Sequence, residues 1–113
     1  MITDSPEVQT TLAQALEEFW ESYTGIRPEN VQIAVGDQAV AVWLKGVLSP
    51  AEQQAAGTQA GREVLRKVGD RILEHAKPQL LHLVEESVHQ ETILIDVHLD
   101  VANGNLVGFF RIG

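Results

Sequence analysis

The sequence predicts an α+β fold in which a four-stranded antiparallel sheet, built from two hairpins, carries its helices on one face. Two stretches that alternate apolar and polar residues contain a turn dipeptide, Gly36-Asp37 in one and Asn103-Gly104 in the other. A segment with apolar residues every three or four positions precedes each stretch, which is typical of an amphipathic helix. We therefore predict the order α-β-β-α-β-β, with a kinked second helix, in a single domain over residues 1–113.

The first helix is predicted to begin at Ser5-Pro6-Glu7, where a capping serine precedes a proline and an acidic residue. Residues 1–4 before it are predicted to be a loose end. Gly25 favours the end of the helix at about Thr24, and a loop over 26–30 leads to the first hairpin. The apolar residues that recur at helical spacing are Val8, Leu12, Ala15, Leu16, Phe19 and Tyr23.

The first hairpin is predicted from six large aliphatic residues that alternate with smaller or polar ones, namely Val31, Ile33, Val35, Val40, Val42 and Leu44. A two-residue turn at Gly36-Asp37 makes all six point to the same face of the sheet, so the turn and the pattern agree. The expected cross-strand partners are Val35 with Gln38, Ile33 with Val40, and Val31 with Val42.

The second helix is predicted to begin at Ser49, because Pro50 suits the first helical position and Glu52 has the spacing of a capping box. Proline lacks the amide donor and disfavours helix at the residue before it, so Lys77-Pro78 is predicted to kink or break this helix. The apolar pattern then continues to about His89.

The first half of this helix, residues 51–61, is rich in Ala, Gln, Gly and Thr. Gly57 and Gly61 lie four residues apart, and each costs a helix about 1 kcal/mol relative to alanine. Close approach of another backbone would compensate, either from a packed helix or from a second subunit. The alternative is that both glycines occupy tolerated surface positions.

The second hairpin is predicted from the alternation over residues 93–101 and from Asn103-Gly104, a strong signal for a two-residue turn. Centring the turn there places the large apolar residues on one face. The expected partners on that face are Val101 with Leu106, Leu99 with Gly108, Val97 with Phe110, and Ile95 with Ile112. On the opposite face they are Asp96 with Arg111, His98 with Phe109, and Asp100 with Val107.

The opposite face of the predicted sheet is more apolar than contact with water requires. Beside its charged residues it is expected to carry Trp43, Ala41, Ala39, Leu94, Phe109 and Val107. An apolar patch with a charged rim often marks a protein interface, and the simplest partner is a second copy of the chain. The alternatives are scattered exposure of Trp43 and Phe109, or cover by the N-terminal helix. The interface candidates are Trp43, Ala41, Phe109 and Val107 on the sheet, and Gly57 and Gly61 on the helix.

Composition and charge exclude several classes of protein. The chain has no cysteine, so disulfides, thiolate metal sites and a cysteine nucleophile are excluded. A net charge of -8 repels nucleic acid and anionic lipid. No apolar run approaches the roughly 20 residues of a membrane-spanning helix, and the first residues lack the features of a signal peptide. We therefore predict a soluble cytoplasmic protein that inserts into no membrane and binds no nucleic acid.

Signatures of catalysis and cofactor binding are weak. The sequence lacks a phosphate loop, a dinucleotide glycine fingerprint, a nucleophile elbow and a zinc-protease motif, so we predict no cofactor, no metal and no enzymatic activity. His75, His82 and His89 are seven residues apart, which is about 10 Å on a helix and too far for one metal ion. The pairs His82/Glu86 and Glu85/His89 are predicted to be paired charges on a solvated helix face.

One cluster leaves a catalytic alternative open. Asp96, His98 and Asp100 lie on one strand face, where a carboxylate beside a histidine could act as an acid/base pair or bind a cation. The competing interpretation is that Asp96 pairs with Arg111 and that the charges protect a strand edge from aggregation.

A second cluster leaves a ligand-binding alternative open. Five basic residues lie on the second helix, namely Arg62, Arg66, Lys67, Arg71 and Lys77. We predict a solvated helix face with the intrahelical pairs Glu63–Lys67 and Arg66–Asp70. The alternative is that Arg62 and Arg66, one helical turn apart, bind a small anion such as bicarbonate or a nucleotide phosphate.

The stretch from Trp43 to Glu52, which reads Trp-Leu-Lys-Gly-Val-Leu-Ser-Pro-Ala-Glu, resembles the strand-then-"G-V-L-T-x-x-E" passage of the MpsC family. Residues 61–66 resemble its "G-x-x-V-x-x-x-R" helix, and residues 23–28 are similar to its glycine-proline loop after the first helix. The resemblance covers roughly residues 8–112. Where members usually carry a Thr-Gly pair before the third strand, this chain has Val88-His89-Gln90-Glu91.

The resemblance implies a context and no site. The family is named for a system that generates membrane potential by cation translocation, associated with inorganic-carbon uptake, and its domain is small and soluble with no established catalytic residues. We therefore predict a non-enzymatic accessory or regulatory domain, homodimeric and acting through protein interaction, with membrane-associated transport components as a further partner. A small-anion or nucleotide sensor is the alternative, and an acid/base enzyme is the third hypothesis.

Overall fold

The computed structural model describes residues 6–113, in which three helices and four strands follow the order α-β-β-α-α-β-β. The α+β class and the four-stranded antiparallel sheet are confirmed. The predicted loose end at 1–4 and the capping Ser5 lie outside the described residues. The elements are α1 (Pro6–Thr24), β1 (Asn30–Val35), β2 (Ala39–Lys45), α2 (Pro50–Ala55), α3 (Gln59–Val88), β3 (Thr92–Asp100) and β4 (Asn105–Ile112).

The strands pair in the order β1-β2-β4-β3, and every neighbouring pair is antiparallel. Helices α1 and α3 cover one face of the sheet, which we call the inner face, because their apolar stripes and the inward side chains of the strands form one core cluster. The opposite face is the outer face. The large side chains buried most completely in the core are Phe110, Leu12, Leu16, Leu44, Leu80 and Leu106.

Helix α1 ends as predicted, because Gly25 adopts a left-handed conformation with φ of 77° and its amide donates to the Glu21 carbonyl. The sequence pattern missed Trp20, which is buried in the core. Its indole nitrogen donates to the carbonyl of Val47 at 3.1 Å. This bond joins the last turns of α1 to the segment that leads from β2 to α2.

The first hairpin turns one residue later than predicted. The Gly36 amide donates to the Ala39 carbonyl at 2.8 Å, so Asp37-Gln38 forms the turn. The observed partners are Val35 with Val40, Ile33 with Val42, and Val31 with Leu44. The predicted register is therefore wrong by two residues. A shift of two leaves every side chain on its predicted face, because the side-chain period of a strand is two.

The second hairpin also differs from its predicted register. Its loop covers residues 101–104, and the observed partners near it include Leu99 with Leu106 and Val97 with Gly108. Further along, a β-bulge between Leu94 and Asp96 leaves Ile95 without a partner on β4. The predicted pairs Val101–Leu106, Leu99–Gly108, Val97–Phe110 and Ile95–Ile112 are therefore wrong, as are Asp96–Arg111, His98–Phe109 and Asp100–Val107.

The bulge exchanges the faces of the residues that precede it. Leu94, predicted for the outer face, is half-buried against the core. Ile93 and Ile95, predicted for the inner face, are 42% and 58% exposed. Thr92 is buried, and its amide donates to the Glu85 carboxylate at 3.0 Å. The inserted residue changes the alternation by one position, which reverses every side chain upstream of it.

The capping box at Ser49 forms as predicted. Glu52 donates its amide to the Ser49 hydroxyl at 3.2 Å, and its carboxylate accepts from the Ser49 amide at 2.8 Å. The interruption of the helix lies at Gly57-Thr58, however, and not at Lys77-Pro78. Thr58 caps α3 by accepting a bond from the Gly61 amide at 3.0 Å.

Helix α3 continues through Pro78. Thirty residues at about 1.5 Å each make it about 45 Å long, which equals the longest dimension of the molecule, 45 Å. Pro78 is exposed, so the carbonyl that loses its amide donor there can bind water instead. Its surface position explains why proline is tolerated within the helix.

Two glycines of α3 allow close contacts within the chain. A Cβ atom at Gly61 would overlap the carbonyl of Ala55, so the predicted close approach of another backbone is confirmed, with α2 of the same chain as its source. Gly69 is also buried, and a Cβ there would lie 2.7 Å from Cδ2 of Leu99 on β3. Gly69 therefore lets the helix lie close to the sheet.

Candidate interface on the outer sheet face

The outer face carries an exposed group of apolar side chains, which we call the apolar patch. Its largest members are Trp43 at 42% and Phe109 at 45% exposure. The predicted alternative of cover by the N-terminal helix is wrong, since α1 packs on the inner face. The apolar patch consists of Trp43, Ala41, Phe109 and Val107, which were predicted, and of Ile93 and Ile95, which were not.

The two central strands, β2 and β4, supply the middle of the apolar patch. Trp43 lies opposite Val107, and Ala41 lies opposite Phe109. The ammonium of Lys45 lies 4.9 Å from the centre of the Trp43 ring, a distance suited to a cation–π contact. The contact holds a positive charge at one edge of the apolar patch.

The predicted acidic and basic residues lie around the apolar patch. His98 Nδ1 is 3.3 Å from Asp96 Oδ2, and these side chains are 53% and 60% exposed. Asp100 accepts a hydrogen bond from the Asn103 side chain at 2.8 Å, which stabilises the hairpin loop. Arg111 lies opposite Ile93 and not opposite Asp96. Asp96 and His98 are thus brought together on an open surface, while Asp100 serves the loop.

The two glycine candidates do not join the apolar patch. Gly57 is exposed and lies between α2 and α3, and Gly61 is packed against Ala55 of the same junction. Both belong to the helical layer, on the other side of the sheet from Trp43. Since Gly61 already has a contact within the chain, its sequence position no longer calls for a second subunit.

The two arginines predicted as an anion site have different surroundings. Arg62 is half-buried and donates from Nη1 to the carbonyl of Ala56 at 2.9 Å, so it satisfies a backbone oxygen where α2 ends. Arg66 is exposed. The predicted pairs Glu63–Lys67 and Arg66–Asp70 are not among the ion pairs formed within residues 6–113. Anion binding at these arginines stays a prediction.

The histidines of α3 are surface residues. His82 forms the predicted pair with Glu86, with 2.9 Å between Nε2 and Oε1, and both are exposed. Glu85 contacts the Thr92 amide at 3.0 Å and not the side chain of His89. In the part of the chain that the structure describes, no three His, Asp or Glu side chains are placed to hold a metal ion.

An open cleft of about 420 Å³ lies at one end of the sheet and was not predicted. Lys45 and Gly46 border it from the end of β2, Gln53 borders it from α2, and Asn103 borders it from the second hairpin loop. Gly46 has φ of 68°, and a side chain there would collide with Glu29, so this position requires glycine.

Sequence reasoning missed Ile93 and Ile95 as members of the apolar patch. Ile93, Leu94 and Ile95 are three consecutive apolar residues, so alternation alone cannot assign them to a face. That run is the one signal in the sequence that could have indicated a change of register there.

Within residues 6–113, no helix combines the length and the apolar character that crossing a membrane requires. Comparison with curated proteins and with solved structures finds no match to this chain. A family model described as the Na+-translocating membrane potential-generating system (MpsC) matches residues 5–111, which is nearly the whole sequence. The resemblance seen in its strand-to-helix passage is thereby confirmed, and the chain belongs to the MpsC family.

Proposed function

We propose that this chain is a non-enzymatic cytoplasmic accessory domain of a Na+-translocating membrane potential-generating system, and that it acts through protein contacts on its outer sheet face. The family description supports the link to such a system. The observation that carries the proposed mode of action is the apolar patch. Contiguous exposed apolar area with a charged rim is typical of surfaces that bind proteins.

The non-enzymatic part of the proposal is supported by the position of the one acid–base pair on this face. Asp96 and His98 are both more than half exposed. General acid–base catalysis is more effective in a site that holds the substrate and excludes water. A flat strand surface offers neither property.

The proposal is tested in cells that lack the gene for this chain, by measuring the Na+-dependent membrane potential with a voltage-sensitive dye. We expect the potential to fall in the deletion strain and to recover with the wild-type chain. A Trp43→Asp variant, produced at the same level, should fail to restore it, because a carboxylate in the centre of the apolar patch opposes burial by a partner.

A matched control is Val64→Asp, which changes an exposed apolar residue of α3, 61% exposed, in the helical layer. It should restore the membrane potential. The proposal is contradicted if deletion leaves the potential unchanged, if Trp43→Asp restores it fully, or if Val64→Asp fails while Trp43→Asp succeeds.

A further inference from the structure

The centre of the apolar patch has an ordered arrangement of large and small side chains. Four residues form a square on β2 and β4, with Trp43 opposite Val107 in one row and Ala41 opposite Phe109 in the next. The two aromatic residues therefore lie on one diagonal of the square and the two smaller residues on the other. All four point to the outer face, since their neighbours along each strand are buried in the core.

This arrangement is complementary to itself. A second copy stacked face to face is related to the first by a two-fold axis that lies between the sheets and parallel to them. When the axis runs along the strands or across them, the strands of the two sheets are aligned within about 30°. The rotation then places the diagonal of aromatic residues over the diagonal of smaller residues, so each aromatic residue meets a smaller one. When the axis runs along a diagonal of the square, the strands of the two sheets cross at right angles. Each diagonal then lies over the same diagonal of the second copy, so Trp43 meets an aromatic ring. Interdigitation of large and small residues favours the aligned arrangement.

Two axes give aligned strands, one along the strands and one across them, and the positions of the charged residues distinguish between them. The rows extend across the sheet, so that Asp96 continues the row of Ala34, Ala41 and Phe109, while His98 continues the row of Trp43 and Val107. An axis along the strands would set Asp96 against Ala34 and His98 against Gln32 of the second copy, so no pair of opposite charges would form between the copies. An axis across the strands sets Asp96 against His98 of the second copy, and the reverse.

We propose that the outer sheet face binds a second copy of this chain, stacked with aligned strands about a two-fold axis that runs across them. The inference rests on the proposed function, because it names the partner of the same face. In this dimer Trp43 packs on Ala41 of the second copy, and Phe109 packs on its Val107.

The area of the face sets the expected strength of the dimer. Four strands spaced about 4.8 Å apart, with about seven residues each, present roughly 400 Å² of flat area. The accessible surface is larger than this flat area because side chains project from the sheet. Two copies therefore bury an area near the lower end of the range of about 1,200–2,000 Å² for specific interfaces. We therefore expect a dissociation constant on the order of micromolar, so that dilution separates the dimer.

The test is sedimentation analysis of the full chain between about 1 and 100 µM, at physiological ionic strength because a net charge of -8 on each copy causes repulsion. Ala41→Trp should raise the dissociation constant at least about 30-fold, because each dimer would contain two overpacked contacts between tryptophans. Combining Ala41→Trp with Trp43→Ala restores a large residue against a small one, so the double variant should dimerise within about fivefold of wild type. Circular dichroism of each dilute variant verifies that it is folded.

A matched control is Ala60→Trp, which adds the same ring to an exposed alanine on α3 and should leave dimerisation unchanged. The inference is overturned if the wild-type chain stays monomeric at about 100 µM, or if Ala41→Trp dimerises normally. It is also overturned if the double variant is folded but monomeric, or if Ala60→Trp alone dissociates the dimer.

The two proposals fail in different ways. If the wild-type chain is monomeric while Trp43→Asp still fails to restore the membrane potential, the face binds another protein and only the dimer is refuted. If the dimer forms as described while Trp43→Asp restores the potential fully, the dimer stands and the proposed function is refuted.

Discussion

The inner and outer faces of the sheet come from the same strands, but within residues 6–113 only the inner face is covered by helices. Phe110 on the inner face of β4 is 1% exposed, whereas its neighbour Phe109 on the outer face is 45% exposed. The two residues share a type, a strand and a peptide bond. Their difference in exposure therefore comes from the layer above each face: α1 and α3 pack over Phe110, and no element of the described chain packs over Phe109.

The outward positions of the two central strands differ from those of an ordinary solvated sheet face. An antiparallel sheet with one solvated face normally alternates apolar and polar side chains. On β2 and β4 the outward positions are apolar as well, with Trp43, Ala41, Val107 and Phe109 at the centre. We infer that inward residues stabilise the fold of one chain, while outward residues provide area for a partner.

The largest expected effect comes from truncating the two adjacent phenylalanines. Phe110→Ala should lower the free energy of unfolding by about 3–5 kcal/mol, because it leaves a cavity in the core. Phe109→Ala should lower it by less than about 1 kcal/mol, since its ring is nearly half exposed in the single chain. Urea unfolding at about 1 µM, below the expected dimer range, measures both values. Similar losses from the two variants would contradict the distinction between the faces.

A smaller effect is expected from the two tryptophans. Trp20→Phe removes the indole donor of the Val47 carbonyl and should destabilise the chain by about 1–3 kcal/mol. Trp43→Phe should change the monomer by about 0.5 kcal/mol or less. Each variant leaves one tryptophan, so fluorescence quenching by acrylamide provides a second measurement: in dilute solution Trp43 should be quenched more strongly than Trp20. Equal quenching would show that Trp43 is covered in the single chain.

The smallest expected effect is on association alone. His98→Asp sets a carboxylate against Asp96 of the second copy, so like charges face each other twice in the proposed dimer. We expect the dissociation constant to rise about tenfold. The thermal midpoint of the dilute chain should fall only slightly, because the contact that His98 loses with Asp96 of its own chain is exposed. Gln32→Asp is an exposed substitution on β1 that points to the same sheet face. It should weaken the dimer less, because residue 32 faces Ala34 of the second copy and meets no like charge there. The axis along the strands would instead set residue 32 against His98 of the second copy, so a dimer strengthened by Gln32→Asp would contradict the proposed axis.

Much of the fold follows from local sequence patterns. The capping box at Ser49 and Glu52 depends on residues three positions apart, and Gly25 ends α1 through its own backbone conformation. Both hairpins were predicted with the correct elements but with registers shifted by two residues next to each turn, and the bulge changes the shift in β3 to three residues before Ile95. Dipeptide signals locate a turn only approximately. Burial of one strand face restricts shifts in a regular strand pair to an even number of residues, which keep every side chain on its face.

The candidate interface was predicted in part. Trp43, Ala41, Phe109 and Val107 were assigned to the outer face from alternation, and the structure places them there. The addition of Ile93 and Ile95 depends on the bulge. The run of three apolar residues does not indicate which of them lies without a partner on β4. The role of Arg62 at the end of α2 could not be predicted, because it depends on where the helix breaks.

The sequence by itself determined the α+β class, the two hairpins, the start of α2 at Ser49 and the faces of most strand residues. These properties depend on periodicity and on hydrogen bonds between residues close in the chain. Only the tertiary structure decided the strand order β1-β2-β4-β3, the bulge at Ile95, the continuity of α3 through Pro78, and which face the helices cover. Those choices depend on contacts between residues far apart in sequence, where burial of apolar area outweighs local preference.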